Sequence, residues 1–198
     1  AGVSYYGTTP DWFFVPTAFT TSHLPIVIVN TNGQDIPNEI KITAHMGIID
    51  NGPGETNHLS DPYNHYDGFI GIELRGSSTL SFPKKQFAVE TRDSLGENNN
   101  VSLFGMPEEN DWIFNAPYTD KSLMRNVLIY KMARDAGRYA SRSHYFELVI
   151  NGDYRGVYVM LEKVKRDGNR VDIDKLNPDD ISGDDLTGGY IIKIDKWD

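Results

Sequence analysis

The chain has 198 residues, of which 39% are hydrophobic and 12% aromatic, so it can fold around a substantial core and is predicted to form a single domain or lobe over residues 1–198. Its formal net charge of −9 argues against general nucleic-acid binding, which requires a basic surface. The lack of cysteine excludes disulfides, thiolate metal sites and cysteine nucleophiles, and no apolar run is long enough to predict a membrane-spanning helix.

Short runs of β-branched and aromatic residues predict strands along most of the chain. The predicted strands are Leu24–Asn30, Ile40–Ile49, Phe69–Leu74, Phe87–Glu90, Tyr145–Ile150, Tyr154–Val164 and Gly189–Asp195. The breaker-rich stretch Asp50–Gly68 is predicted to be a loop, and Asn151-Gly152-Asp153 is predicted to be the tight turn of a hairpin. Asp111–Phe114 is a short aromatic segment.

The clearest helical pattern covers Asp120–Ala136, with Thr119 or Asp120 as its cap and Gly137 as its stop. Strands, then one long helix, then more strands predict an α+β fold with a mainly antiparallel sheet. Because the last predicted strand runs nearly to Asp198 with no closing helix, we expect the chain to be truncated at its C-terminus relative to a longer protein.

The segment from Arg75 to Glu90 is predicted to be a β-hairpin that can bind an anion. A turn of small residues lets backbone N–H groups approach an anion closely, and Ser77 and Ser78 add hydroxyl donors. The Arg75 guanidinium can bind a phosphate or a carboxylate through two hydrogen bonds.

Lys84 and Lys85 lie in the second half of this hairpin, and the two-residue period of a strand predicts that they point to opposite faces. One lysine then faces the apolar side and needs a partner such as a phosphate or a carboxylate, because burying a lone charge is costly. The alternative, favoured by the charge pattern alone, is a surface hairpin with solvated lysines.

A second candidate is the apolar strand that begins at Gly156 and becomes charged at Glu162 and Lys163. The backbone of such a strand end can hydrogen-bond a purine edge, and Glu162 can pair with a lysine of the hairpin. A core strand with a polar exit is the simpler interpretation. Arg125, on the predicted helix, can orient a carboxylate or form an ordinary salt bridge.

Two groups of residues have side chains of the types that bind metals. The first is His58, Asp61, His65 and Asp67; the second is Asp172, Asp174, Asp179, Asp180, Asp184 and Asp185. Neither spacing matches a metal-binding motif, so solvated loops are the favoured interpretation and no metal site is predicted. The sequence also lacks a glycine-rich phosphate loop, a dinucleotide fingerprint and the Gly-x-Ser-x-Gly elbow of hydrolases.

Several short segments form a specific ordered set, although each is weak alone. They are Leu24–Ile28, Arg75–Ser78 with Pro83-Lys84-Lys85, Leu103–Pro107 with Asp111-Trp112, Asp120–Asn126, Asn151-Gly152 with Tyr154–Tyr158, Glu162-Lys163, and Gly188–Tyr190. In this order the segments resemble the spore coat protein H (CotH) kinase-like family, from about Leu24 to Asp195.

The resemblance implies part of an atypical protein-kinase-like fold that transfers phosphate from ATP to Ser or Thr of a protein, with Mg²⁺ or Mn²⁺. It implies that the hairpin covers the nucleotide, that Lys84 or Lys85 holds the phosphates with the helix from Asp120 bracing that lysine, and that a hinge at Glu162–Lys165 meets adenine. The residues implied to bind the nucleotide are Arg75, Ser77, Ser78, Lys84, Lys85, Glu162 and Lys163. The catalytic and metal-binding aspartates are expected beyond Asp198, so we expect no phosphate transfer by these residues alone.

The resemblance also implies a coat or surface protein as substrate and a secreted, cell-surface or spore-coat location, although residues 1–10 lack a signal-peptide pattern. The alternative is a noncatalytic structural or binding module of a spore-coat or extracellular multidomain protein. The N-terminal aromatic residues suit a binding surface, or a strand packed on the core, which we favour. They are Tyr5, Tyr6, Trp12, Phe13 and Phe14.

Overall fold

The computed structural model describes residues 18–187 and 189–192, which form mainly β-strands. The longer strands lie where β-branched and aromatic runs predict them, with slightly different ends. The strands are β1 (Thr21–Ser22), β2 (Ile26–Asn30), β3 (Ile42–Ile49), β4 (Asn57–His58), β5 (Tyr66–Arg75), β6 (Gln86–Arg92), β7 (Asp111–Asn115), β8 (Ser143–Ile150) and β9 (Asp153–Glu162). Helix α1 (Arg125–Asp135), the short helix α2 (Asp184–Thr187) and a 3₁₀ turn at Ser78–Ser81 complete the described elements.

Seven of these strands close into a barrel in the order β2-β3-β5-β6-β7-β9-β8. Neighbouring strands are antiparallel except at the seam between β2 and β8, where Val27 pairs in parallel with Leu148. The predicted α+β fold, with one long helix as in the N-terminal part of a kinase-like fold, is therefore wrong. Local strand patterns predict the faces of β2 but not its partners, and it is the pairing of β2 with both β3 and β8 that closes the sheet.

Aromatic side chains fill the interior of the barrel, so it is a packed core. The Phe114 ring of β7 contacts Phe146 of β8, and Tyr158 of β9 contacts both Phe146 and Phe87 of β6, with ring centroids 4.9 to 6.2 Å apart. These rings are buried. They fix the end of the barrel at which β6 begins, and the candidate site lies at this end.

Helix α1 is shorter than the predicted Asp120–Ala136 helix because residues 120–124 form a turn. The Asp120 carboxylate accepts hydrogen bonds from the Ser122 hydroxyl and from the backbone N–H of Arg125. Leu123 has a φ of +59°, which an α-helix does not allow. The N-cap of α1 is Met124, whose side chain makes no capping hydrogen bond, and Asp120 instead supports the turn before the helix. The predictions of Thr119 or Asp120 as the cap and of a long helix are both wrong.

Helix α1 packs on the outside of the barrel through a narrow face, on which Val127 and Tyr130 contact a cluster around Ile113 of β7. Its opposite face is apolar and more than half exposed, and nothing in the described ranges covers it. The exposed side chains are Met124, Leu128, Ile129 and Met132.

Other predictions also need correction. The aromatic segment Asp111–Phe114 is a fully buried strand of the barrel, β7, which extends to Asn115. The predicted strand Gly189–Asp195 is not a strand at residues 189–192, and its remainder lies outside the described residues, as do the aromatic residues between positions 5 and 14. No helix in the described ranges is long and apolar enough to cross a membrane.

Candidate functional site

A cavity of about 610 Å³ opens at the end of the barrel where β6 begins. Residues 83–85 and Phe87 form one side, and residues 154–158 of β9 form the other. Tyr118 and Leu123, in the segment before α1, complete the wall. Small-molecule sites typically occupy about 300 to 1,000 Å³, so this cavity has a suitable volume for a ligand.

Lys84 is held in this cavity by a carbonyl and an aromatic ring. Its ammonium donates to the Val157 carbonyl oxygen at 2.6 Å and lies 4.6 Å from the centroid of the Tyr158 ring. Within the described ranges, no carboxylate forms an ion pair with it. Burial lowers the pKa of Lys84 from its ordinary value, while the charge of Glu147 opposes this shift. An ammonium with remaining donors and no carboxylate partner suits an anionic ligand.

A β-bulge shapes the opposite wall of the cavity. The register of the β8–β9 pair shifts at Leu148, which pairs with Gly156, so Arg155 is left without a strand partner and lines the cavity. Gly156 has a φ of +86°, and a Cβ there would lie 3.4 Å from the Lys84 Nζ atom. The Arg155 guanidinium pairs with Asp153 at 3.2 Å.

Lys85 lines the same cavity as Lys84. The predicted alternation of the two lysines is wrong, because β6 begins only at Gln86. The Lys85 ammonium donates to the Leu80 carbonyl oxygen at 2.6 Å, and its backbone carbonyl accepts a hydrogen bond from the Tyr158 hydroxyl at 2.9 Å. Burial raises the pKa of Tyr158, which keeps the hydroxyl protonated as a donor.

The tip of the hairpin lies outside this cavity. Arg75, Ser77 and Ser78 are exposed and do not line it. Gly76 has a φ of +120°, and a Cβ at this position would collide with the Thr79 hydroxyl, so the tip requires glycine there. The structure thus brings together the two predicted lysines but not the arginine and serines predicted with them.

Glu162 and Lys163 lie toward the other end of the barrel, roughly 13 Å along β9 from Tyr158 at about 3.3 Å per residue. The buried Glu162 carboxylate accepts a hydrogen bond from the Arg142 guanidinium at 2.8 Å and pairs with the buried Arg170. The predicted pairing of Glu162 with a hairpin lysine is therefore wrong. The structure does not bring Glu162 or Lys163 to the cavity.

Further ion pairs engage the remaining charges of the predicted hinge. Lys163 pairs with Asp111 at 3.1 Å, and Lys165 pairs with Asp111 at 2.9 Å and with Glu109 at 2.5 Å. Burial disfavours the charged form of Asp111, but the two lysines outweigh this effect and hold its pKa below the ordinary value. These contacts join the end of β9 to the start of β7.

The family model described as CotH kinase protein matches residues 72–198, which is more than half of the chain. The chain belongs to the CotH kinase family. No curated protein matches the chain significantly. The CotH kinase match begins within β5 and includes the hairpin, the cavity walls, α1 and strands β6–β9. Strands β2 and β3, which close the barrel, precede the matched range.

Several cavity residues within the CotH kinase match were not assigned a role from the sequence. Tyr154 and Arg155 stand in a segment that carries the resemblance, and a hairpin with an arginine-glycine pair is a weak signal of a bulge. Tyr118 and Leu123 carry no such signal, because the turn before α1 places them. The Tyr145 hydroxyl donates to the Leu123 carbonyl oxygen at 2.9 Å and holds this turn on the barrel.

A kinase-like activity would require ATP and a divalent metal. The cavity fits a phosphate-bearing ligand, because it combines the Lys84 ammonium with aromatic walls. The donor set does not fit a metal: the described ranges contain no group of three or more His, Asp or Glu placed to hold one. The nearby Glu147 carboxylate already accepts hydrogen bonds from Ser22 and Tyr154.

The loop residues of metal-binding type form separate contacts. Asp61 accepts a hydrogen bond from the Asn51 amide at 2.9 Å, and Asp67 pairs with His45 at 2.8 Å. His65 accepts the backbone N–H of Phe104 at 2.8 Å. Each of these three side chains thus has a contact of its own, and Asp67 lies in β5, so the predicted loop Asp50–Gly68 extends too far.

Proposed function

We propose that this chain is the nucleotide-binding part of a CotH-like atypical protein kinase, and that the cavity at Lys84 binds the phosphates of ATP. The observation that carries the proposal is the half-buried Lys84 ammonium, which has no carboxylate partner in the described ranges. Lys84 uses one of its donors on Val157, so further donors remain for an anion. A phosphate would also offset the loss of hydration that burial imposes on the Lys84 ammonium.

The walls of the cavity suit the remainder of a nucleotide. Tyr118 is partly exposed at the cavity wall, in contact with Phe82 at a centroid distance of 5.2 Å, and can offer its ring to a base. Arg155 and Lys85 add positive charge on two sides. The binding residues proposed from this geometry are Lys84, Lys85, Arg155 and Tyr118.

The phosphoacceptor proposed for the family is a Ser or Thr of a coat or surface protein, with the chain in a secreted, cell-surface or spore-coat setting. Catalysis also requires carboxylates that bind the metal and orient the hydroxyl. We assign no residue of this chain to those roles. The proposal for this chain is therefore nucleotide binding. Phosphate transfer is the proposed activity of the family, to which this binding would contribute.

The test is calorimetric titration of the chain with ATP, with and without Mg²⁺. We expect Lys84→Ala to weaken binding at least about tenfold, because one charge-assisted hydrogen bond contributes about 1.5 to 3 kcal/mol. Lys131→Ala is the matched control, since Lys131 lies on the exposed side of α1 and pairs with Asp135. Undetectable binding at millimolar ATP, or equal losses in the two variants, would refute the nucleotide proposal.

A noncatalytic binding module is the second candidate, and the exposed apolar face of α1 supports it. Met124, Leu128 and Met132 align at helical spacing on this face. If the chain does not bind ATP but binds a coat or surface protein, Leu128→Glu should abolish that binding while leaving the circular dichroism spectrum unchanged. Retained protein binding by Leu128→Glu would count against this use of α1.

A further inference from the structure

Asparagine followed by glycine occurs in this chain at Asn32, Asn51 and Asn151. In such a pair the glycine backbone nitrogen can attack the side-chain amide carbon of the asparagine, because glycine has no side chain to hinder the approach. All three asparagines are exposed. Exposure therefore does not predict which asparagine reacts most readily. The hydrogen bonds of the three side chains differ and do predict it.

The Asn151 side chain is tied to Thr31 by two hydrogen bonds. It accepts the backbone N–H of Thr31 at 2.9 Å and donates to the Thr31 hydroxyl at 2.8 Å. Its turn also closes the β8–β9 hairpin, in which Ile150 pairs with Asp153. Attack by the Gly152 nitrogen requires these contacts to break first.

The Asn51 side chain is tied even more extensively. Its amide donates to the Thr56 carbonyl oxygen at 3.0 Å and to Asp61 at 2.9 Å. Its side-chain oxygen accepts a hydrogen bond from Asn64 at 2.8 Å. The attacking nitrogen is also engaged, because the Gly52 N–H donates to Asp50 at 3.1 Å.

Asn32 lacks all of these restraints. Neither its side chain nor the Gly33 N–H has a hydrogen-bond partner in the described ranges, and a Cβ built at Gly33 would meet nothing within 4 Å. The turn has positive φ at both central residues, +54° at Asn32 and +78° at Gly33. Two hydrogen bonds close it: the Gln34 N–H donates to the Thr31 carbonyl oxygen at 3.1 Å, and the Thr31 hydroxyl donates to the Gln34 carbonyl oxygen at 2.6 Å. No strand ladder continues from this turn, since β3 begins only at Ile42.

We propose that Asn32 is a site of spontaneous deamidation, and that Asn51 and Asn151 are protected by the fold. The Gly33 nitrogen bonds to the Asn32 side-chain carbon, the bond to the amide nitrogen breaks, and ammonia leaves with the proton that the Gly33 nitrogen gives up. Water then opens the resulting succinimide to aspartate or isoaspartate. The only co-reactant is water, and each event replaces a neutral amide with a carboxylate.

The neighbourhood of Asn32 gives this change a structural consequence. Thr31 binds Asn151 through its own backbone N–H, so the two Asn-Gly turns are joined. Isoaspartate at position 32 would lengthen the backbone by one methylene beside this junction. Both products would thus place a new negative charge beside the junction of the two turns. The isoaspartate product would also distort the backbone there.

The test is incubation of the intact folded chain at 37 °C and mildly alkaline pH, followed by peptide mapping with mass spectrometry over several weeks. We expect conversion at Asn32 to be at least about tenfold faster than at Asn51 or Asn151, because release of each protected side chain breaks two or more hydrogen bonds. In concentrated urea the three rates should converge. Methylation by a carboxyl methyltransferase that acts on isoaspartate separates the two products.

Two variants sharpen the comparison. Asn32→Gln should abolish isoaspartate formation at position 32 while leaving the other two rates unchanged. Thr31→Val removes the hydroxyl that Asn151 binds and should accelerate conversion at Asn151 in a chain shown to be folded by circular dichroism. The proposal is overturned if folded Asn32 stays unmodified while the unfolded chain reacts, or if Asn51 or Asn151 reacts as fast as Asn32 in the folded chain.

Discussion

The Tyr158 ring lies 4.6 Å from the Lys84 ammonium. Tyr158 is a buried residue of β9, whose ring packs against Phe87 and Phe146 inside the barrel. Its hydroxyl also donates to the backbone carbonyl of Lys85. The core of the barrel therefore fixes the positions of both lysines, and the cavity is organised by packing before any ligand arrives.

The pKa of Lys84 gives the first test of this arrangement. Because burial is the main cause of its lowered pKa and Glu147 opposes the shift, Glu147→Gln should lower the pKa further. The measurement is an NMR titration of ¹³C-methylated lysines, with Lys84→Arg used to assign the resonance. Asp135→Asn, which changes an exposed carboxylate on α1, is the matched control and should leave the Lys84 titration unchanged. An unaltered titration in Glu147→Gln would contradict this account.

The hairpin tip gives a second test, based on glycine. Gly76→Ala and Gly96→Ala both place alanine at a positive φ, which costs about 1 kcal/mol. Only the Gly76 Cβ collides with the Thr79 hydroxyl, whereas Gly96 faces open space. We therefore expect Gly76→Ala to lower the free energy of unfolding by at least about 1 kcal/mol more than Gly96→Ala, measured by urea denaturation.

A double variant checks the cause of that difference. Thr79→Ala removes the hydroxyl, so Gly76→Ala combined with Thr79→Ala should recover the steric part of the loss. Equal losses in the Gly76 and Gly96 single variants would show that the tip tolerates a side chain. The anion-binding role predicted for this turn would then lose its structural basis in glycine.

Local patterns predicted most strands of this fold, but not its closure. The pairing of Val27 with Leu148 joins segments far apart in the sequence, and neither segment carries a signal for the other. The helix prediction failed for a related reason. Asp120 is a strong cap in isolation, but its side chain organises a turn in which Leu123 adopts a positive φ, and the helix begins only at Arg125.

The sequence likewise predicted some residues of the candidate site and missed others. Lys84 and Lys85 are recognisable in the sequence as a charged pair beside a strand, and both line the cavity. Tyr118 and Arg155 reach it through a turn and a bulge, which depend on tertiary contacts. The sequence shows Glu162 at the end of a strand, whether that strand end is a nucleotide-binding hinge or the polar exit of a core strand. Its burial between two arginines is a property of the folded barrel.

His65 gives a third prediction, on pH dependence. Its Nε2 atom accepts the backbone N–H of Phe104, which requires a neutral ring. Burial lowers its pKa, Asp50 opposes the shift and His144 adds to it. Because the folded-state pKa lies below the unfolded value of about 6.5, this stabilisation is complete above that pH, declines as the pH falls below it, and is lost below the folded-state pKa.

The measurement is the free energy of unfolding of the wild type and His65→Gln between about pH 8 and pH 5. Glutamine can accept the Phe104 N–H without titrating, so the stability of the wild type should fall relative to the variant as the pH drops. His58→Gln changes the exposed histidine of β4 and serves as the control. Parallel pH profiles for wild type and His65→Gln would contradict the role of His65.

The buried ion pair of Glu162 and Arg170 gives the fourth prediction. The side chains of both residues are fully buried, so Glu162→Gln leaves the Arg170 guanidinium with only the more distant Glu109 carboxylate, 3.9 Å away, as its counter-charge. Loss of one partner of a buried pair costs about 3 to 5 kcal/mol. The exposed pair of Lys131 and Asp135 provides the control, and Asp135→Asn should change the free energy of unfolding by less than about 0.5 kcal/mol.

Urea denaturation of both variants measures this contrast. Arg170→Met combined with Glu162→Gln should be less destabilised than Glu162→Gln alone, because the unpaired charge is then absent. A loss in Glu162→Gln as small as in Asp135→Asn would mean that the carboxylate does not neutralise Arg170. The structural role assigned to Glu162 at this end of β9 would then be contradicted.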